Sequence, residues 1–204
     1  MNIVQIIRQN RFLGPIYKKM VQGVEVVPYY FYKEGLHEDQ KLDLKPKLDH
    51  FSVAFLDASE VKTIAAHPEV DESEEELMKR LANGCLCLGV KSEGSVTAYT
   101  WCNLKECSYE ERLSIPLKDD EAYLFDARTF KKYRGKALAP YLRYQLYLKL
   151  IEMGRSKFFS VTSTLNTSAL RFKEKLNARI LKLYLYIGIF RRFRLNIILR
   201  NYPE

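Results

Sequence analysis

The stretch that most limits what this chain can fold into is residues 121–139, EAYLFDARTFKKYRGKALA, where an apolar run passes through a small-residue loop into a helical pattern. Ala122, Tyr123, Leu124, Phe125, Ala127, Thr129 and Phe130 are interrupted only by Asp126 and Arg128. Such a run predicts a strand buried on both faces. The loop Arg134-Gly135-Lys136-Ala137-Leu138-Ala139 then mixes small residues with basic ones, and Leu138, Leu142, Gln145, Leu146, Lys149 and Leu150 follow at helical spacing. Small residues let the backbone approach a ligand closely. Unpaired N–H groups and the helix dipole favour an anion at a helix start, and Arg134 and Lys136 add full positive charge. The economical reading is a cradle for an anionic cofactor.

The loop resembles the pyrophosphate-binding signature Q/R-x-x-G-x-G/A of the GCN5-related N-acetyltransferases, with Ala137 where that family usually has glycine. Asn166 to Asn177 resembles the family's second landmark, N-x-x-A-x-x-L/F-Y-x-x-x-G, in the expected order after a further strand. The resemblance covers about residues 50 to 200 and implies an α/β fold, a mixed central sheet flanked by helices. It implies acetyl-CoA as cofactor, with the backbone of Ala127, Arg128 and Thr129 holding the pantetheine arm. Arg134, Gly135, Lys136, Ala137, Leu138 and Ala139 would hold the pyrophosphate, and Asn166 would hydrogen-bond the arm. Family members commonly use a tyrosine as the acid for the leaving thiolate; here Lys173 takes that slot, after Phe172. A solvated lysine, with a pKa of about 10.4, is a poor substitute, so water or another hydroxyl must serve or the activity is lost.

Asp126 is the candidate general base, because a carboxylate within an otherwise apolar central strand needs a reason to be there. An ion pair with Arg128 or with a neighbouring strand is the competing reason. Tyr123, Ser160 and Thr162 are expected in the same region. The histidines, His37, His50 and His67, read as surface residues. Cys85 and Cys87 share one face of a strand as buried thiols; the spacing of the four cysteines is not a zinc pattern, and no metal is expected.

Charge divides the chain. Residues 1–127 hold 15 Lys+Arg against 22 Asp+Glu, and residues 128–204 hold 18 against 3. Coenzyme A would account for part of the basic excess, and a polyanion would account for it equally. With no secretory segment and no apolar stretch long enough to span a bilayer, the expected location is cytoplasmic.

Residues 1–50 read as an N-terminal extension docked on a 51–204 acetyltransferase domain. Within it, 1–22 has a broken apolar stripe of helical spacing, interrupted at Gly14-Pro15. Val24 to Tyr32 reads as an edge strand because it contains Pro28, and 33–50 reads as a connector. Downstream, strands are predicted over 50–56, 85–90, 95–104, 158–163, 179–190 and 193–200, with helices over 59–66 and 71–81 and a polar loop over 105–120.

The expected function is acetyl-CoA-dependent N-acetylation of a primary amine in a small molecule, such as an amino sugar or its nucleotide conjugate. Protein amino-group acetylation is the nearest alternative. A non-catalytic protein of the same fold, gripping nucleic acid or an anionic membrane through its basic half, is the alternative of another class. Specific nucleic-acid binding is not expected, peripheral membrane contact is the less favoured partner, and a second copy of the chain is a candidate one.

Overall fold

The computed structural model describes residues 23–36, 46, 49–110, 112–190 and 192–203; the helical reading of 1–22 and most of the connector lie outside them. In chain order, β1 (Val24–Glu34) is followed by β2 (Phe51–Phe55), α1 (Ala58–Ala65), α2 (Glu74–Ala82) and the hairpin β3 (Leu86–Ser92) with β4 (Ser95–Asn103). A small hairpin, β5 (Glu106–Tyr109) and β6 (Leu113–Pro116), precedes β7 (Glu121–Thr129), α3 (Leu138–Glu152), β8 (Lys157–Ser163) and α4 (Thr167–Lys175). The antiparallel pair β9 (Arg179–Ile189) and β10 (Phe193–Asn201) ends the chain. Eight strands form one sheet in the order β10-β9-β1-β8-β7-β4-β3-β2, in which only β7 and β8 are parallel.

Local chemistry sets the element ends. Asp57 and Ser73 each precede a helix by one residue and stand three before a glutamate, and both form a complete capping box with Glu60 and Glu76. In α3, Leu138, Leu142, Leu146 and Leu150 recur every fourth position, and all four are buried against Leu88, Val90, Ala98 and Leu124 of the sheet. On the opposite face α1 and α2 cover Cys87, Tyr99 and Trp101. The free thiols of Cys85, Cys87, Cys102 and Cys107 are all buried. Beyond the helices, the β5–β6 hairpin lays Tyr109 against Tyr29, which stacks on Tyr184 at 5.2 Å.

Two expectations are corrected. The stretch 105–120 is not a loop alone, since Cys107↔Ile115 and Ser108↔Ser114 pair as a hairpin with one buried face. Val24–Glu34 is not an edge strand: it lies between β8 and β9. Pro28 is tolerated because β8 pairs only with Tyr29–Glu34, so the first half of β1 has a ladder partner on the β9 side alone, and no ladder bond is lost. The Pro28 carbonyl accepts from Thr164 N at 3.1 Å.

At its other end β1 is fixed by a buried carboxylate. Glu34 accepts from Lys173 Nζ of α4 and, at 2.6 Å, from the Tyr147 hydroxyl of α3; Arg143 Nε stands 3.8 Å away. Lys173 also donates to Ser160 Oγ of β8 at 2.7 Å. Here one carboxylate serves two buried cations. Burial alone would raise the Glu34 carboxyl, but Lys173 and then Arg143 overcome it and hold the group at about 2. For Lys173 burial dominates and pushes the ammonium down to about 8, because Glu34 is shared with Arg143, which opposes its charge.

A carboxyl lower in the folded chain than its ordinary 4.5 adds stability that is present above that value and lost as pH falls towards about 2. Glu34→Gln, which leaves two buried cations without their carboxylate, is expected to cost about 3–5 kcal/mol near neutrality. The gap to the parent should narrow as denaturation is measured from pH 5 down to pH 2, and Glu34→Gln with Lys173→Met should recover part of the loss. A gap independent of pH would show that Glu34 contributes through shape and not charge.

Candidate active site

The parallel pairing of β7 and β8 stops early. Glu121↔Lys157, Ala122↔Phe158 and Tyr123↔Phe159 are paired, and no further pair forms although both strands continue, β7 to Thr129 and β8 to Ser163. The strands therefore part beyond Tyr123 and Phe159, opening a wedge in the middle of the sheet. On its other side β7 pairs with β4, and the register slips there: Tyr99 faces Arg128 while Trp101 faces Phe125. Two steps on β4 match three on β7, which is a β-bulge at Asp126–Ala127, with Asp126 left-handed at φ 43. Aspartate tolerates this conformation better than the β-branched and aromatic residues around it.

The Asp126 carboxylate accepts from Arg80 Nη1 of α2 at 2.6 Å, and Arg80 also reaches Glu72 at 3.4 Å. The guanidinium lies 5.4 Å from the ring centroids of both Trp101 and Phe125. The ion-pair reading of Asp126 thus holds with a different partner, since Arg128 donates to the Glu69 carbonyl and lies 3.6 Å from Asp71. Burial pushes the Asp126 carboxyl above the usual carboxylate range; the Arg80 hydrogen bond opposes the rise and the charge of Glu72 adds to it. Around the bulge, Tyr99 Oη, Trp101 Nε1, Thr129 Oγ1 and a Glu72 carboxylate oxygen are buried without a hydrogen-bond partner. Buried polar atoms are ordinarily satisfied; these four lie beside one bulge, and others lie at Arg112 and Arg143.

At the end of β7 a single 3-10 turn, Lys131–Tyr133, delivers the chain to the start of α3. Gly135 is left-handed at φ 79, and a Cβ added there would meet nothing within 4 Å. Ala137 is left-handed as well, at φ 59, and serves as N-cap with no side-chain bond. That conformation explains why a glycine suits the position, and an alanine there costs roughly 1 kcal/mol. The first turn of α3 holds Leu138 and Ala139 with no acidic residue. Lys136 Nζ lies 5.5 Å from the Tyr133 ring centroid. Arg134 is already engaged, its Nε donating to the Thr129 carbonyl at 3.1 Å and its Nη2 standing 3.4 Å from Glu69.

Other expected residues fall in two groups. Ala127 is exposed at the bulge, and Asn166 caps α4 by accepting from Ala169 N at 3.0 Å. Tyr123 stacks on Phe125, and Ser160 bonds Lys173 of α4. Lys173 is buried, not solvated. Arg80, Glu72, Tyr99 and Trp101 were not legible as site residues. Only the chain's single tryptophan, in a strand beside the cradle strand, could have drawn notice.

No family model matches the chain, and no curated protein matches it. Solved structures do. A GNAT-family acetyltransferase from Novosphingobium aromaticivorans superposes with a TM-score of 0.55 at 17% identity, over 81% of this chain and 66% of that one. A GCN5-related N-acetyltransferase-like protein from Streptococcus suis gives 0.55 at 18%, over 89% and 69%. A tandem GNAT protein from the clavulanic acid biosynthesis pathway gives 0.55 at 13%, over 93% and 60%. This chain thus spans about two thirds or less of the length of most of them.

Removing one partner of the Arg80–Asp126 pair leaves the other buried. Arg80→Met should therefore cost about 1–3 kcal/mol by chemical denaturation, less than a fully buried pair because Arg80 is partly exposed. An unchanged midpoint would mean that the pair does not hold α2 to the bulge. The parted strands β7 and β8, the bulge of β7 against β4 and the similarities to solved structures together give this chain the fold of the GCN5-related N-acetyltransferases.

Proposed function

We propose that this protein is an acetyl-CoA-dependent N-acetyltransferase that acylates a primary amine of a small molecule. The observation that carries this reading is the wedge between β7 and β8, floored by the Asp126–Ala127 bulge and ending at the unacidified start of α3. A cofactor with a long neutral arm and a pyrophosphate would fit that shape: edge groups of β7 unpaired by β8 would hold the arm, and the first N–H groups of α3 would hold the anion. The orphaned hydroxyl of Thr129, the open space at Gly135 and the charge of Lys136 support the same placement. Arg134 braces the loop against Thr129 and Glu69, and its exposed guanidinium adds positive charge. Asn166 positions α4 as its cap.

The cofactor supplies an acetyl thioester. What the chain itself supplies is orientation and a proton acceptor. Asp126 lies beside the wedge with its carboxyl raised by burial, which brings it closer to the operating pH of a base than an exposed aspartate would be. Tyr99, Trp101 and Phe125 form an apolar wall on the α1/α2 side that would exclude water from a bound amine. Lys173 occupies the acid's usual position, yet its ammonium is committed to Glu34 and Ser160. We therefore assign protonation of the leaving thiolate to solvent. An acceptor that arrives as a cation, as an amino sugar does, would share Asp126 and Glu72 with Arg80 beside these rings.

Acetyl-CoA at millimolar concentration should raise the melting temperature, and a screen of amines should find turnover with release of free thiol. A base must be unprotonated, so activity should fall as pH drops through the raised Asp126 pKa. Asp126→Asn should lower kcat about 10²–10⁴-fold and remove that acid limb while leaving the ligand-induced melting shift intact. No melting shift with acetyl-CoA would refute the cofactor assignment; a shift retained together with an unaltered pH profile in Asp126→Asn would remove Asp126 from the chemistry.

A further inference from the structure

On the other side of β8 from the wedge, one face of the sheet is left bare by the described residues. Along β9, Tyr184, Tyr186 and Gly188 are buried, and the tyrosines pack with Tyr29 beneath the β5–β6 hairpin. The alternate residues of β9 face the other way and are half-buried to exposed. Strand register lines them up with their neighbours in three rows: Val24–Ile189–Phe193, Val26–Ile187–Leu195 and Pro28–Leu185–Ile197. Val26 is 55% exposed, Leu195 54% and Phe193 65%, although α3 packs on the same sheet over β3, β4 and β7. An apolar surface three strands wide and three rows long is larger than scattered exposed residues and marks an interaction site.

Charge decides among occupants. Residues 179–204 carry six Lys+Arg and a single acid, Glu204; of the six, Arg194 lies opposite Gly188 and so on the other face. A second copy related by two-fold symmetry would bring two such basic rims together. The chain's own first 22 residues carry Arg8, Arg11, Lys18 and Lys19 with no acid, so they share the sign of the rim and do not neutralise it. The described chain enters the sheet at Val24, at the corner of the bare face. Phe190 and Phe193 flank the β9–β10 turn, both more than half exposed, and Arg192 lies over the Phe193 ring at 6.0 Å. Aromatic side chains paired with arginine suit the boundary between lipid headgroups and acyl chains.

We propose that the bare face of β1, β9 and β10 rests on an anionic lipid bilayer, with Phe190 and Phe193 entering the headgroup region and the surrounding arginines on lipid phosphates. Contact is peripheral: no helix among the described residues is long and apolar enough to cross a membrane. Apolar burial and attraction to anionic headgroups act together, so binding needs both and weakens with salt.

The test is co-sedimentation of the full chain with vesicles of phosphatidylcholine alone or mixed with phosphatidylserine. Partitioning onto the mixed vesicles should exceed that onto phosphatidylcholine at least tenfold at low salt and fall as salt rises, and Leu195→Asn with Phe193→Ser should reduce it about tenfold at an unchanged melting temperature. Phe193→Trp gives a second readout that keeps the face apolar: its emission should shift to the blue on adding mixed vesicles, against the constant background of buried Trp101. Partitioning unaffected by the double substitution overturns the proposal. So does a dimer in solution that the same substitutions dissociate, which gives the face to a second copy. A Phe193→Trp spectrum that is already blue-shifted in a monomer and indifferent to vesicles gives it to residues 1–22, and overturns the proposal as well.

Discussion

Two parallel strands that hydrogen-bond over only three residue pairs set the terms for everything around them. Had β7 and β8 stayed paired to their ends, the middle of the sheet would be continuous and the start of α3 would be an ordinary helix cap. Because they part after Tyr123 and Phe159, edge groups of both strands are released from the ladder inside the protein. Buried backbone groups must find partners, and those of the wedge are the ones we propose a bound cofactor would satisfy. The bulge at Asp126 extends the same logic on the β4 side, where an extra residue turns a carboxylate out of register with its apolar neighbours.

A sheet divided in this way needs to be held at the point of division, and that is where the charged cluster lies. Ser160 is the first residue of β8 past the last β7 pair, and Lys173 bonds it while also bonding Glu34. The cluster thus ties β1, β8, α3 and α4 together at the apex of the wedge. A buried ion pair of this kind is a weak source of net stability, since desolvation offsets most of the attraction, but it penalises any arrangement that separates its members. Its effect is to fix which strand sits beside β8, and so to place β9 and β10 beyond it. Among the described residues, the same placement leaves one face of that pair uncovered.

Much of this was legible in the sequence, because it followed from local rules. The apolar run over 121–130 and the small residues before Leu138 each announce a strand or a cradle without reference to the rest of the chain. What was hidden depended on distant partners. Pro28 reads as an edge residue, and only the shortness of β8 makes it acceptable inside a sheet. Lys173 looks solvated in a helix rich in charge, and only Glu34, 139 positions away, shows why it is buried. Arg80 lies among the charges of an acidic helix, and its role comes from a bulge 46 residues later. Periodicity reports which face of an element is apolar; it does not report which element will cover it.

The central claim is that the wedge and the start of α3 form one binding site for coenzyme A. Amide hydrogen exchange of the full chain with and without the cofactor tests it most directly, because it reads the backbone groups in question. The account predicts protection concentrated in residues 126–139 and in the second half of β8 through Asn166, with little change in β2, β3 or β10. Protection confined to other segments, or none at saturating cofactor, would contradict it.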